Sequence, residues 1–262
     1  MEPFLSDERI TRETLQWHLL ESIFARAVRG EVLLKGGFAL RALLGSERDT
    51  QDIDLQQDPQ RVPLGRLQKL MRGAIRQALG SGLLLDPVIT EPKQTSTVAR
   101  WKINGRTRIG SRIHLTIEVS RRGLPDERHW ADVTHGAGTQ ITSYDRHALA
   151  ATKVHALLSE TRVAPRDLYD LDVLIRMKAV PPPSMIAGLC NEEGRERLYQ
   201  KLDLITWDLF RAQVLPHLPE QQAAAFTQDD FDALQVRVGL AVDHWLGGRG
   251  ADRNDDSGGP AP

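Results

Sequence analysis

The chain has 262 residues with a 40% apolar fraction, enough to bury a substantial core in one or two domains. Charged residues interrupt every hydrophobic stretch before it reaches the roughly eighteen positions that a spanning helix needs, so no membrane segment is expected. Lys and Arg number 34 against 35 Asp and Glu, a balance that neither requires nor excludes a nucleic-acid partner.

Cys190 is the only cysteine, which rules out an intrachain disulfide and a cysteine-rich metal site. The N-terminus, MEPFLSDERITRETL, lacks the basic start and apolar core of a secretory signal, and the cytoplasm is the expected compartment.

Leu15, Leu19, Leu20, Ile23, Phe24 and Ala27 recur at helical spacing and predict a sheet-covering helix over 11–28. A short apolar strand over 32–35 follows, broken by Gly36-Gly37, and 38–44 reads as a short helix. Residues 51–56 predict a second strand, with Asp52 and Asp54 on one face and Ile53 and Leu55 on the other. Leu67, Leu70, Met71, Ala74, Ile75 and Ala78 place a helix over 64–79.

Strands return at 83–90, 95–104 and 112–120, separated by turn formers that include the Asn104-Gly105 hairpin signal. In the last of them Ile113, Leu115, Ile117 and Val119 alternate with His114, Thr116 and Glu118, which puts Glu118 on the polar face as a candidate third carboxylate. Arg100, Lys102, Arg106, Arg108, Arg112, Arg121, Arg122 and Arg128 outnumber the acids Glu118, Asp126 and Glu127 in the same stretch. Such a stretch is either a phosphate-binding face or a solvated hairpin.

From Ser143 onward the pattern turns helical, with helices expected over 144–160, 166–177, 195–214 and 229–245. Pro181-Pro182-Pro183 marks a rigid break, and GGRGADRNDDSGGPAP lacks the apolar content to pack. The expected division is 1–142, a helical bundle over 143–246 contributing to the active site, and a disordered tail over 247–262.

Two carboxylates at i, i+2 on a strand can converge on one or two hard cations. Alone, Asp52 and Asp54 carry little weight, because many solvated strands show such pairs. Some fifteen residues earlier, Gly36-Gly37 ends a strand and opens a helix, offering backbone N–H groups to a phosphate chain. Nucleotidyl transfer joins the two features, since magnesium held by carboxylates bridges triphosphate oxygens and neutralises developing charge. Arg41 and Arg48 flank this segment as phosphate partners or as ordinary surface arginines. Thr50 lies two residues before Asp52, where its hydroxyl faces the site or makes a turn hydrogen bond.

A second polar set occurs within HALAATKVHALLSETRVAPRDLYDLDVLI. Lys153 has Ala148, Ala151, Val154 and Leu157 around it in sequence, while Asp167 and Asp170 share a helix face. Spacing alone leaves an equal alternative, in which Arg166 pairs with Asp170 and Lys153 snorkels at the surface.

KGGFALRALLGSERDTQDIDLQ, together with that lysine and the RDLYDL segment, resembles the AbiEii/AbiGii (MenT-like) toxins of the polymerase-β-type nucleotidyltransferase superfamily, over roughly 32–175. The resemblance implies an α+β fold, a mixed-sheet nucleotidyltransferase core with flanking helices followed by a C-terminal helical bundle. It implies a Mg2+-dependent toxin of a toxin–antitoxin or phage-defence pair. Such a toxin transfers NMP from an NTP to RNA, at the tRNA 3′ end, and has a cognate antitoxin. Asp52 and Asp54 become metal ligands, Lys153 a clamp on the triphosphate, and Asp167 the acidic residue of the last motif, with Asp170 beside it. Gly36, Gly37 and Arg41 complete the nucleotide-binding set, and either Glu118 or Asp167 completes the metal site.

The family's Ser or Thr after the glycine turn is Phe38 here, so backbone N–H groups alone remain to meet phosphate. In some relatives a hydroxyl two residues before the first motif aspartate is modified to silence the toxin, and Thr50 stands at that place. Transfer to a protein hydroxyl, and a non-catalytic RNA- or protein-binding module, are the competing readings.

Overall fold

The computed structural model describes residues 7–247; the tail expected at the C-terminus lies, beyond Gly247, outside the described residues. The chain divides into two compact units. One comprises the residues up to Asp145 together with His217–Gln221, and the other Arg146–Pro216 together with the residues from Gln222 on.

The first unit is built on a seven-stranded mixed sheet in the order β3-β4-β5-β2-β1-β7-β6. Helix α1 (Asp7–Phe24) leads into β1 (Leu33–Lys35), α2 (Gly36–Leu44), β2 (Asp52–Gln56) and α3 (Leu64–Leu79). Then follow β3 (Leu85–Gln94), β4 (Val98–Arg106), β5 (Arg112–Ser120), β6 (Trp130–His135) and β7 (Thr139–Tyr144). β1 runs antiparallel to β2 and parallel to β7, while β2 runs parallel to β5.

Strict alternation gives the central strands one dry face. Ile53, Leu55, Trp101, Ile103, Ile113, Ile117 and Val119 are fully buried, as are Leu15, Leu19 and Leu20 of α1 and Leu67 and Met71 of α3. Burial of each such side chain stabilises the fold by about 1.5–3 kcal/mol.

Besides shifted element ends, such as α1 ending at Phe24 and not at 28 and β3 running on to Gln94, the structure departs from the sequence expectations in three larger ways. Asn104-Gly105 is not the hairpin turn: both residues belong to β4, paired with His114 and Ile113, and the chain reverses over 107–111 through the Thr107 N–H to Ser111 carbonyl bond. Thr107, which also accepts from the Ser111 N–H through its hydroxyl, supplies the turn chemistry expected of Asn-Gly. The β6–β7 hairpin lies where no strand was expected. Its sequences WADVTH and TQITSY carry few apolar side chains, and Ser143 is buried because its hydroxyl donates to the Leu34 and Tyr144 carbonyls.

The second unit is helical: α4 (Arg146–Leu157), α5 (Pro165–Arg176), the single turn α6 (Pro183–Ile186), α7 (Glu192–Leu204), α8 (Trp207–Gln213) and, after a short α9 (Glu220–Ala225) whose first two residues belong to the first unit, α10 (Gln228–Gly247). The third departure falls here. The helix expected over 195–214 is two, because Thr206 leaves helical geometry and its hydroxyl caps α8 by accepting from the Leu209 N–H at 3.3 Å. Trp207, Phe210, Phe226 and Phe231 form an aromatic cluster with ring centroids 5.1–6.3 Å apart. No described helix is long and apolar enough to cross a membrane.

Candidate active site

Strand register aligns the site. Lys35 on β1 lies opposite Asp54 on β2, Asp54 opposite Glu118 on β5, and Glu118 opposite Arg100 on β4, a row across one face of the sheet. Asp52 heads the next row, opposite Thr116 and then Lys102. Asp52 is exposed and Asp54 half-buried, with Ile53 and Leu55 sealed on the far face.

Gly36 fixes the approach of α2 to this row. Its φ of +71° is one that L side chains rarely adopt, and an added Cβ would lie 2.8 Å from the Asp54 Cβ and closer still to its carboxylate. At Gly37 a Cβ would meet the Arg48 guanidinium at 2.9 Å and the Thr50 hydroxyl at 3.2 Å. Lys35, at the N-cap of α2, makes no side-chain capping bond, so the first N–H groups of this nine-residue helix are not taken up by it. Gly36→Ala should therefore destabilise the unit by about 1–3 kcal/mol through displacement of Asp54, read by urea unfolding.

Lys35 is the residue that sequence reasoning missed. Burial pushes its ammonium below the usual lysine range; Asp54 and Glu118 pull it back up, and Arg122 adds to the lowering. Its Nζ donates to Gln56 Oε1 at 2.8 Å. The signal was its place as the last residue of a strand at the glycine turn, but only register reveals which carboxylates it faces.

The remaining sequence candidates of this unit divide. Glu118 joins the row, with Arg100 holding its Oε2 through both Nε, at 2.9 Å, and the terminal guanidinium nitrogen. Thr50 lies beside Gly37 just outside β2, and its carbonyl accepts from Gln16. Arg41 is held by Glu13, which accepts at 2.6 and 2.5 Å, and also donates to the Ser46 carbonyl. Arg48 is buried.

Among the described residues no three His, Cys, Asp or Glu side chains form a ready cage for a metal. The donor set nonetheless fits Mg2+, which binds through one or two carboxylates plus substrate phosphates and retained waters.

In the helical unit the second polar set comes together. Lys153 is buried, not snorkelling: its Nζ lies 2.8 Å from Asp167 Oδ1 and 2.7 Å from Asp170 Oδ2. Pro165 starts α5, Asp167 falls in its first turn and Asp170 one turn later, fully buried, so both carboxylates face α4. Arg162 contacts the other Asp167 oxygen at 2.8 Å, giving two cations to two carboxylates. Arg166 donates to the Gln213 carbonyl through its Nε at 3.2 Å.

Both solved-structure likenesses and a family profile bear on this arrangement. A Helicobacter pylori protein, JHP933, superposes with a TM-score of 0.58 at 19% identity, covering 93% of this chain and 94% of that one. A further Helicobacter pylori structure gives 0.61 at 20% identity over 92% and 97%. MenT4, a nucleotidyltransferase toxin from Mycobacterium tuberculosis, gives 0.50 at 15% identity over 91% and 85%. At these identities the likeness establishes the fold, an α+β nucleotidyltransferase fold. No curated protein matches the chain.

The family described as "Nucleotidyl transferase AbiEii toxin, Type IV TA system" matches residues 18–243. The chain belongs to that family of nucleotidyltransferase toxins, as the motif resemblance implies.

Proposed function

We propose that the protein is a Mg2+-dependent enzyme that transfers NMP from an NTP to RNA, at the 3′ end of tRNA, and is restrained by a cognate antitoxin. The observation that supports this most is the carboxylate pair Asp52 and Asp54 on an open sheet face, with the N-terminus of α2 pressed against Asp54 through Gly36. Carboxylates there would hold the metal, and the backbone N–H groups of Gly36 and Gly37 would meet the phosphates. Bound Mg2+ supplies charge neutralisation at the triphosphate. The chain's own part is to orient: Lys35 sets the charge of the Asp54 row, and Glu118, with one oxygen taken by Arg100, adds a third carboxylate to it.

In the helical unit Lys153 is assigned to the triphosphate, with Asp167 and Asp170 fixing its ammonium. A covalent group on the hydroxyl of Thr50, which lies beside the glycine turn, would obstruct phosphate binding, and this supports the reading of Thr50 as a modification site. Co-expression with the antitoxin followed by peptide mapping should find Thr50 modified; an inhibited but unmodified chain contradicts that assignment.

Incubation with each α-labelled NTP, Mg2+ and total RNA, resolved on a gel, tests the main reading. Label should enter a band of tRNA size and disappear with nuclease. Label removed only by protease would assign a protein hydroxyl as acceptor instead.

A further inference from the structure

The sheet that carries Asp52 and Asp54 keeps its polar face open beyond them. Along β4 and β5 the side chains that share the face of the carboxylates are Arg100, Lys102, Asn104 and Arg106, opposite Glu118, Thr116, His114 and Arg112. Lys102, Arg106, Arg112 and His114 are exposed, whereas the other face of the same strands, with Trp101, Ile103, Ile113 and Leu115, is core. Lys102 shares a row with Asp52 through Thr116, two strand steps away, or about 10 Å at the usual strand spacing.

The end of this hairpin is arranged against its own stability. Arg106 and Arg112 are direct cross-strand partners, both exposed, in a position where like charges repel. Among the described residues neither they nor Lys102 make an ion pair, whereas Arg100, nearer the carboxylates, is paired with Glu118. A surface that runs from a carboxylate pair to an unneutralised row of cations complements a polyanion whose reacting end must reach the carboxylates. Extended backbone exposing Thr90 and Lys93 on β3 continues the same face beside Lys102 and Arg100.

We infer that the open face of β4 and β5, from Lys102 to the Arg106–Arg112 pair, is the surface on which the phosphate backbone of the acceptor RNA lies while its 3′ end is at Asp52 and Asp54. This rests on RNA being the acceptor. The interactions are with phosphate, so they set affinity and register but not sequence.

The test uses the full chain and the triple variant K102A/R106A/R112A, with total tRNA as probe at several salt concentrations. The KM for tRNA should rise by about tenfold or more at low salt. The dependence of log affinity on log salt should become shallower by about 2, at about 0.7 for each single-strand phosphate that the variant no longer neutralises. The conservative variant R106K/R112K should keep most of the affinity, since a phosphate needs a charge opposite it and not a fork. Thermal melting should show the triple variant no less stable than the wild type, because a like-charge pair has been removed.

If the wild type labels RNA while the triple variant matches its KM and salt slope, the surface assignment falls and the enzyme reading stands. If the wild type labels no RNA, both fall. A triple variant with unchanged KM for tRNA that no longer binds the antitoxin assigns this face to a protein partner and overturns the inference.

Discussion

Asp54→Asn is expected to give a folded protein that transfers nucleotide about 1,000-fold more slowly than the wild type. The substitution keeps the volume of the side chain against which Gly36 is packed, so the approach of α2 survives and the slower rate reports charge, not shape. What disappears is the hard anionic oxygen proposed to hold Mg2+ and, with it, the carboxylate that does most to hold a proton on half-buried Lys35. Asp52→Asn should be similarly slow. Its exposure and its distance from Lys35 make it the safer of the two for folding, and its row partner is the neutral Thr116.

Glu118→Gln separates the third carboxylate from the first two. With Arg100 already on one oxygen, a loss of about tenfold, equivalent to about 1.4 kcal/mol, is expected. Single-turnover transfer from an α-labelled NTP across a Mg2+ titration reads all three variants, with circular dichroism as the folding control. A wild-type rate in Asp54→Asn would remove the carboxylate pair from the chemistry, and a loss as deep in Glu118→Gln would make it an equal metal ligand.

Much of the first unit can be read from the chain because its strands have one dry and one wet face. β5 and α3 fall on the bounds that periodicity sets, 112–120 and 64–79. Periodicity fails where burial is not apolar. β7 buries the polar Thr142 and Ser143, the latter with its hydroxyl bonded to the Leu34 carbonyl and its backbone paired with β1, features that a hydrophobic pattern cannot register. Asp52 and Asp54 share a face by i, i+2 spacing alone, but the row from Lys35 to Arg100 joins four strands and exists only through register. The same applies to Lys153: spacing left a surface lysine and a buried one equally open, and only the packing of α4 on α5 decides between them.

That buried lysine carries the second large effect. Lys153→Met should destabilise the helical unit by about 3–5 kcal/mol, because it removes the cation that two carboxylates share, Asp170 fully buried and Asp167 nearly so. A structural lysine and one that binds triphosphate both predict this destabilisation, so stability alone does not assign it. Lys153→Met/Asp170→Leu removes the cation together with the fully buried carboxylate it is paired with, leaving Asp167 to Arg162. Urea unfolding should show much of the stability restored, as coupled partners in a double-mutant cycle require. Nucleotide transfer should stay low, by about 100-fold, if the ammonium holds the triphosphate as proposed. Recovery of activity along with stability would reduce Lys153 to a packing role and leave the triphosphate to other residues.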